Sequence, residues 1–183
     1  MSLFLPDYAF GKFDDITVGF LKKEGCSSLI IDIDNTLAPY EEADPNERVI
    51  RWFDELGRAG IKAALVSNNG RERVERFNRQ LGLTAFWDCR KPDPKFVKTA
   101  MAAIGARKES TVYLGDQIFT DTLAAKLAGI RAIKLPPIKD KKTLLFRIKR
   151  KLEKPVMQKY YRLHPDEKIG GAQVPPGKDK DIS

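Results

Sequence analysis

Leu29-Ile30-Ile31-Asp32-Ile33-Asp34-Asn35-Thr36-Leu37 is an apolar run that breaks on two carboxylates and an Asn-Thr turn. Its first five positions read as a buried strand, and continuous rather than alternating hydrophobicity is what a parallel sheet covered on both faces requires. In such sheets ligands bind just beyond the carboxyl ends of the strands. Asp32 and Asp34 are two residues apart, so continued strand geometry points them the same way. Adjacent carboxylates repel, and a divalent cation relieves the repulsion. Oxygen-only ligands suit Mg2+, which is commonly held by one or two carboxylates plus waters and a substrate phosphate. The plainer alternative for this stretch alone is a strand ending in a solvated turn.

Outward from it, strand and helix patterns alternate. Gly25 introduces the first strand, about 28–33. Asp44-Pro45 looks like a helix start, with Asp44 as cap and Pro45 at the first helical position. That helix carries Val49, Ile50, Trp52, Phe53 and Leu56. Ile61 to Val66 reads as a second strand, ending in Ser67-Asn68-Asn69-Gly70, and a helix over 71–81 stops at Gly82. Thr84 to Trp87 reads as a short third strand. Lys91-Pro92-Asp93-Pro94 is a stiff turn into a helix through Ile104. Thr111 to Leu114 and Ile130 to Leu135 are the fourth and fifth strands, flanking a small-residue helix over 123–128. This alternation predicts parallel βαβ units with right-handed crossovers. Residues 1–24, with Phe4, Tyr8, Phe10, Phe13 and Phe20 among charges, read as a short amphipathic segment packing on the domain.

Composition narrows the classes. At 183 residues, 42% hydrophobic and 32% charged, the chain fits one soluble globular domain with room for a core. No apolar run approaches the roughly 20 residues of a membrane span. Met1 to Phe10 is interrupted by Pro6 and Asp7 and lacks a basic start, so it does not read as a signal peptide. Cys26 and Cys89 set no metal or disulfide pattern and are expected to be reduced, in a cytoplasmic protein. The single histidine, His164, speaks against a His-based triad or zinc site.

The formal charge of +8 is unevenly placed. Lys134 to Arg162 holds 11 basic and 2 acidic residues, leaving 22 and 23 for the rest of the chain. Within Thr143 to Lys154, Leu145, Ile148 and Leu152 share one helical face among Arg147, Lys149, Arg150, Lys151 and Lys154. Three readings are open: a helix packing its apolar stripe on the domain, one lying on an anionic bilayer, or one meeting nucleic acid or an acidic protein.

Four strand ends deliver polar groups to one edge: Asp32, Asp34 and Thr36; Ser67 and Asn68; Lys91 at its turn; and Gly115-Asp116 with Asp121. Singly, each has an ordinary reading as a helix cap, a solvated lysine, a turn or a first-turn helix charge. In this order they resemble the haloacid dehalogenase (HAD) superfamily of phosphotransferases, whose first motif, Asp-x-Asp-x-Thr, matches residues 32–36. Ser67 matches the second motif, Lys91 the third, and Gly115-Asp116 with Asp121 the fourth. More narrowly, Phe4-Leu5-Pro6-Asp7, Ser-Asn-Asn and Gly-Asp-Gln-Ile-Phe-Thr-Asp resemble the YqeG-type branch of subclass IIIA, related to phosphatidylglycerophosphate phosphatases.

The resemblance implies a Rossmann-like αβα sandwich with about five parallel strands, ordered 5-4-1-2-3. It implies Asp32 as nucleophile, Asp34 as acid and base, Lys91 neutralising charge, and Ser67 and Asn68 holding phosphoryl oxygens. Mg2+ would be held by Asp32, the Asp34 carbonyl and Asp116, with Thr36, Gly115 and Asp121 in support. The short gaps between motifs leave no room for a cap domain, which favours a bulky or surface-borne substrate. The expected organisation is a capless catalytic domain over 1–138, a basic amphipathic segment over 139–164 and a disordered tail over 165–183. The leading expectation is a Mg2+-dependent phosphomonoesterase acting on phosphatidylglycerophosphate at the inner face of a membrane, with no nucleic-acid partner. The alternatives are a soluble phosphatase for a nucleotide, sugar phosphate or phosphoprotein, and a non-catalytic phosphate- or nucleic-acid-binding module.

Overall fold

The computed structural model describes residues 2–139 and 144–165, the side chains of 144 and 145 excepted. The expected disordered tail falls almost wholly outside them. In chain order the strands are β1 (Tyr8–Ala9), β2 (Ser28–Ile31), β3 (Lys62–Val66), β4 (Thr84–Phe86), β5 (Thr111–Gly115) and β6 (Arg131–Lys134). The helices are α1 (Val18–Lys23), α2 (Glu47–Arg58), α3 (Arg71–Asn78), α4 (Lys95–Ala103), α5 (Leu123–Ala128) and α6 (Leu144–Leu163).

All six strands form one parallel sheet in the order β1-β6-β5-β2-β3-β4. The five expected strands stand in the expected order, and β1 adds a sixth at the edge. Alternate residues divide between the two faces. Leu29, Ile31, Leu65, Val112, Leu114 and Ile133 pack with Val49, Trp52, Phe53 and Leu56 of α2 and with Phe13, Ile16 and Leu21 from the N-terminal segment. Ile30, Ala64, Val66, Tyr113 and Ala132 pack with Val97, Ala100 and Met101 of α4 and the alanines of α5. Helices thus cover both faces, which is why the central strands carry no polar alternation.

Register decides where the site falls. Ile31 of β2 pairs with Leu65 of β3 and Leu114 of β5. Asp32, Ser67 and Asp116 therefore leave the sheet within two residues of one another along a single rim. The chain from Asp32 to Ser67 forms only a loop, α2 and β3.

One local expectation is corrected and one open reading is narrowed. The cap of α2 is Asn46, whose side-chain oxygen accepts the Val49 N–H at 3.1 Å. Asp44 lies before the helix and is drawn instead into a pair with Arg76. In α6, Ile148 and Leu152 of the apolar stripe are exposed while Phe146, Glu153 and Tyr160 are buried, so these two stripe residues do not follow the first of the three open readings, packing on the domain.

The N-terminal segment is tied down by a polar anchor. Asp7 accepts the Ala132 N–H at 2.7 Å and the Lys126 ammonium at 2.6 Å. Removing the carboxylate would leave a largely buried ammonium and one strand N–H without this partner. Asp7→Ala is expected to lower stability by about 1.5–3 kcal/mol in urea unfolding; a change below about 0.5 kcal/mol would contradict this anchor.

Candidate active site

β2 ends at Ile31, and the chain then turns through Asn35, whose φ of 64° is tolerated by asparagine. This turn brings Thr36 back, and its hydroxyl donates to Asp32 Oδ2 at 3.0 Å. The other Asp32 oxygen meets Lys91 Nζ at 2.5 Å. Lys91 arrives from a distant turn that Asn68 braces. The Asn68 carboxamide accepts the Lys91 N–H at 2.7 Å and donates to the Lys91 carbonyl at 3.3 Å. The Asn68 side chain thus shapes the lysine turn from its place on the wall of the cleft.

The Lys91 ammonium is enclosed by Asp32, by Asp121 Oδ1 at 2.8 Å, and by the Tyr113 hydroxyl and Val66 carbonyl, each at 3.1 Å. Burial disfavours the ammonium, but Asp121 and Asp32 outweigh it and hold the amine well above its ordinary range. Burial likewise pushes Asp32 up to about 8, with Lys91 opposing and Asp121 and Asp116 adding to the rise.

Asp34 points to a different set of partners. Asn69 Nδ2 donates to its Oδ2, the Ser67 hydroxyl lies 3.4 Å from the same oxygen, and Arg73 forks onto Oδ1 at 3.1 and 3.2 Å. Arg73 also donates to the Ala43 carbonyl at 2.9 Å, which fixes the fork. Asp34 therefore does not share Asp32's partners, but both carboxylates line one cleft. That cleft, about 130 Å³, is also lined by Ser67, Asn68, Asn69, Lys91, Gln117 and Thr120.

Asp116 follows β5 and is fully buried. Burial pushes it up to about 6, Asp121 adding and Arg150 opposing. A π-helical turn, Ile118–Thr122, then presents Asp121, whose Oδ2 accepts the Gln117 N–H at 3.0 Å. Gly115 has no room for a side chain, because a Cβ there would collide with the Asp121 side chain. Arg150 of α6 donates to Asp116 Oδ2.

Asp32, Asp116 and Asp121 can each place one carboxylate oxygen within 4.8 Å of the others. Asp116 Oδ1 and the Thr120 hydroxyl are buried without a hydrogen-bond partner among the described residues. An orphaned carboxylate oxygen inside an all-oxygen cluster is what a hard divalent cation would satisfy. The donor set therefore fits such a cation.

All the expected site residues gather at this rim. Asn69, Arg73, Tyr113, Thr120 and Arg150 were not anticipated. Asn69 had a usable signal, since it lies beside Ser67 and Asn68 in a strand-end turn. Arg73 and Arg150 are 39 and 34 residues from their carboxylates and carry no local signature.

Comparison with known proteins places this geometry. Residues 22–135 match the model of the haloacid dehalogenase-like hydrolase family. The chain is 33% identical over 156 residues to the probable phosphatase YqeG of Bacillus subtilis, covering 85% of this chain and 91% of the relative. It is 33% identical over 97 residues to the pyrophosphatase PpaX of Halalkalibacterium halodurans, covering 48% and 45% of the two chains. Among solved structures, the cobalt-bound deoxy-D-mannose-octulosonate 8-phosphate phosphatase of Haemophilus influenzae superposes with a TM-score of 0.50 at 18% identity, over 76% of this chain and 91% of that one. That likeness bears on the fold, whereas the family match and the long relative bear on the chemistry. The chain belongs to the haloacid dehalogenase-like hydrolases and is a phosphatase of that superfamily.

Proposed function

We propose that this phosphatase is a Mg2+-dependent phosphomonoesterase that works through an aspartyl-phosphate on Asp32, with phosphatidylglycerophosphate as its substrate. The observation that carries the catalytic part is the convergence of Asp32, Asp116 and Asp121 oxygens within 4.8 Å of one another, with the Lys91 amine 2.5 Å from Asp32.

In this reading an Asp32 oxygen attacks phosphorus and the ester P–O bond breaks. The leaving alkoxide takes a proton from Asp34, which then accepts one from the water that cleaves the aspartyl-phosphate. Phosphate leaves and both carboxylates are restored. Lys91 offsets charge on the transferring group, and the Ser67 hydroxyl binds a phosphoryl oxygen. Asn68 acts by holding the Lys91 turn, Thr36 orients Asp32, and Asp121 holds Lys91. Arg73 and Asn69 fix the Asp34 carboxyl at the cleft wall. Asp32, Asp116 and the Asp34 carbonyl would hold Mg2+, which supplies charge neutralisation between the anionic phosphate and the anionic nucleophile.

Three features support a lipid-borne phosphate. The branch resemblance points to phosphatidylglycerophosphate phosphatases. The rim carries no inserted cap, so a large substrate can reach it. The outward face of α6 exposes Arg147, Ile148, Lys151, Leu152 and Lys154, mixing cations with apolar side chains. Such a face suits an anionic bilayer, each Lys or Arg near the surface contributing about 1 kcal/mol. Among the described residues no helix is long and apolar enough to cross a membrane, so contact through this face would be peripheral.

Asp32→Asn is expected to lower turnover by roughly a thousandfold or more while the chain still folds cooperatively. Turnover near the original level would remove Asp32 from the nucleophile role. In a phosphate-release panel, phosphatidylglycerophosphate in mixed micelles should exceed pyrophosphate, sugar phosphates and nucleotides by about tenfold or more in kcat/KM. A chelator should abolish release. A soluble ester turned over faster than the lipid would overturn the substrate assignment and leave the catalytic one standing. Vesicles rich in phosphatidylglycerol should co-sediment the protein at low salt and release it at high salt. Removing both cations in Arg147→Gln/Lys151→Gln should weaken binding roughly thirtyfold; no binding by the natural chain at low salt would sink the membrane contact.

A further inference from the structure

α6 lies beyond the residues matched by the family model, yet it reaches the floor of the site. Arg150 Nη1 donates to the Asp116 backbone carbonyl at 2.7 Å, and Nη2 donates to Asp116 Oδ2. Glu153, one helical turn on, accepts from Arg150 at 2.7 Å and takes the Ile118 N–H at 2.7 Å. The two side chains share one face of α6 and bracket residues 116 and 118 of the loop after β5. The guanidinium also lies 4.7 Å from the centroid of the Phe146 ring, so it is held from the helix side as well.

Solubility does not explain this arrangement. The Arg150 and Glu153 side chains are only 16% and 6% exposed, and taking both charges out of water is unfavourable unless their geometry is used. An apolar pair would dock the helix as well. What Arg150 does that leucine could not is grip one Asp116 oxygen and the carbonyl of the same residue. The carboxylate then cannot rotate, and its remaining oxygen, Oδ1, is left buried without a partner among the described residues.

We propose that Arg150 is a positioning residue that fixes Asp116 with Oδ1 turned to the divalent cation, and that Glu153 holds Arg150 in place. The C-terminal helix is then a working part of the cation site. This rests on Asp116 being a cation ligand, as argued for the proposed function, but it is independent of which phosphate ester is hydrolysed.

Arg150→Lys separates positioning from charge, because it keeps the positive charge and loses the planar fork. The test is Mg2+ titration of substrate-free protein by calorimetry, with kcat and KM on p-nitrophenyl phosphate as the second readout. Loss of a group that orients a metal ligand typically weakens binding or activity by about 10–100-fold. Arg150→Lys is expected to bind Mg2+ at least about tenfold more weakly and to lose kcat in step, with KM within about threefold. Glu153→Gln keeps an acceptor for the Ile118 N–H and loses the charge that holds Arg150. It is expected to shift Mg2+ binding in the same direction by a smaller factor, and it carries the test if the lysine variant does not fold. A helix-packing role alone would lower the melting temperature and leave Mg2+ affinity unmoved. Folded variants that both bind Mg2+ within about twofold of the natural chain would overturn the assignment. A natural chain that binds no Mg2+ would overturn the cation reading and this proposal together.

Discussion

Crowding buried carboxylates at one sheet edge is the constraint on which the rest of the structure depends. Asp32, Asp116 and Asp121 are all buried, and burial of one charge among like charges is strongly unfavourable unless cations answer it. Each carboxylate at the rim has a fixed basic partner from elsewhere in the chain. Lys91 lies between Asp32 and Asp121, Arg73 of α3 forks onto Asp34, and Arg150 of α6 grips Asp116. Burial holds Asp32 and Asp116 above the ordinary carboxylate range in spite of these partners. Much of the neighbouring structure follows. Asn68 braces the turn that delivers Lys91, Tyr113 sets a neutral hydroxyl against the same amine, and Gly115 stays bare so that Asp121 can approach.

The parts of this design that lie in strands and their ends were legible in the sequence. Apolar runs followed at once by Asp, Ser or Gly-Asp fix both a buried strand and the polar group at its tip, and parallel register does the rest. What was not legible depends on contacts between distant segments. β1 is two residues long and has no periodicity to detect; it exists because its backbone pairs with β6. The α2 cap is Asn46 rather than Asp44 because the helix begins at Glu47, which puts Asn46 where its side-chain oxygen reaches the Val49 N–H.

The C-terminal helix shows the same limit more sharply. Helical spacing places Ile148 and Leu152 on one face, but spacing does not say which face meets the domain. Arg150 and Glu153 dock inward because two buried groups of the β5 loop, the Asp116 carboxylate and the Ile118 N–H, draw them there. The apolar pair is thereby turned outward beside the basic residues. One helix thus touches both the innermost carboxylate and the molecular surface, and the basic excess of the chain is concentrated at that point.

The central claim is that Asp32 and Asp116 share one divalent cation beside the Lys91 amine. A crystal structure grown with Mg2+ and a phosphate analogue tests it most directly. The expected result is six-coordinate density at about 2.1 Å from an oxygen of each of these two carboxylates, with the phosphate analogue on the Ser67 side. Density bound elsewhere, or the two carboxylates left without a shared ion at saturating Mg2+, would contradict it.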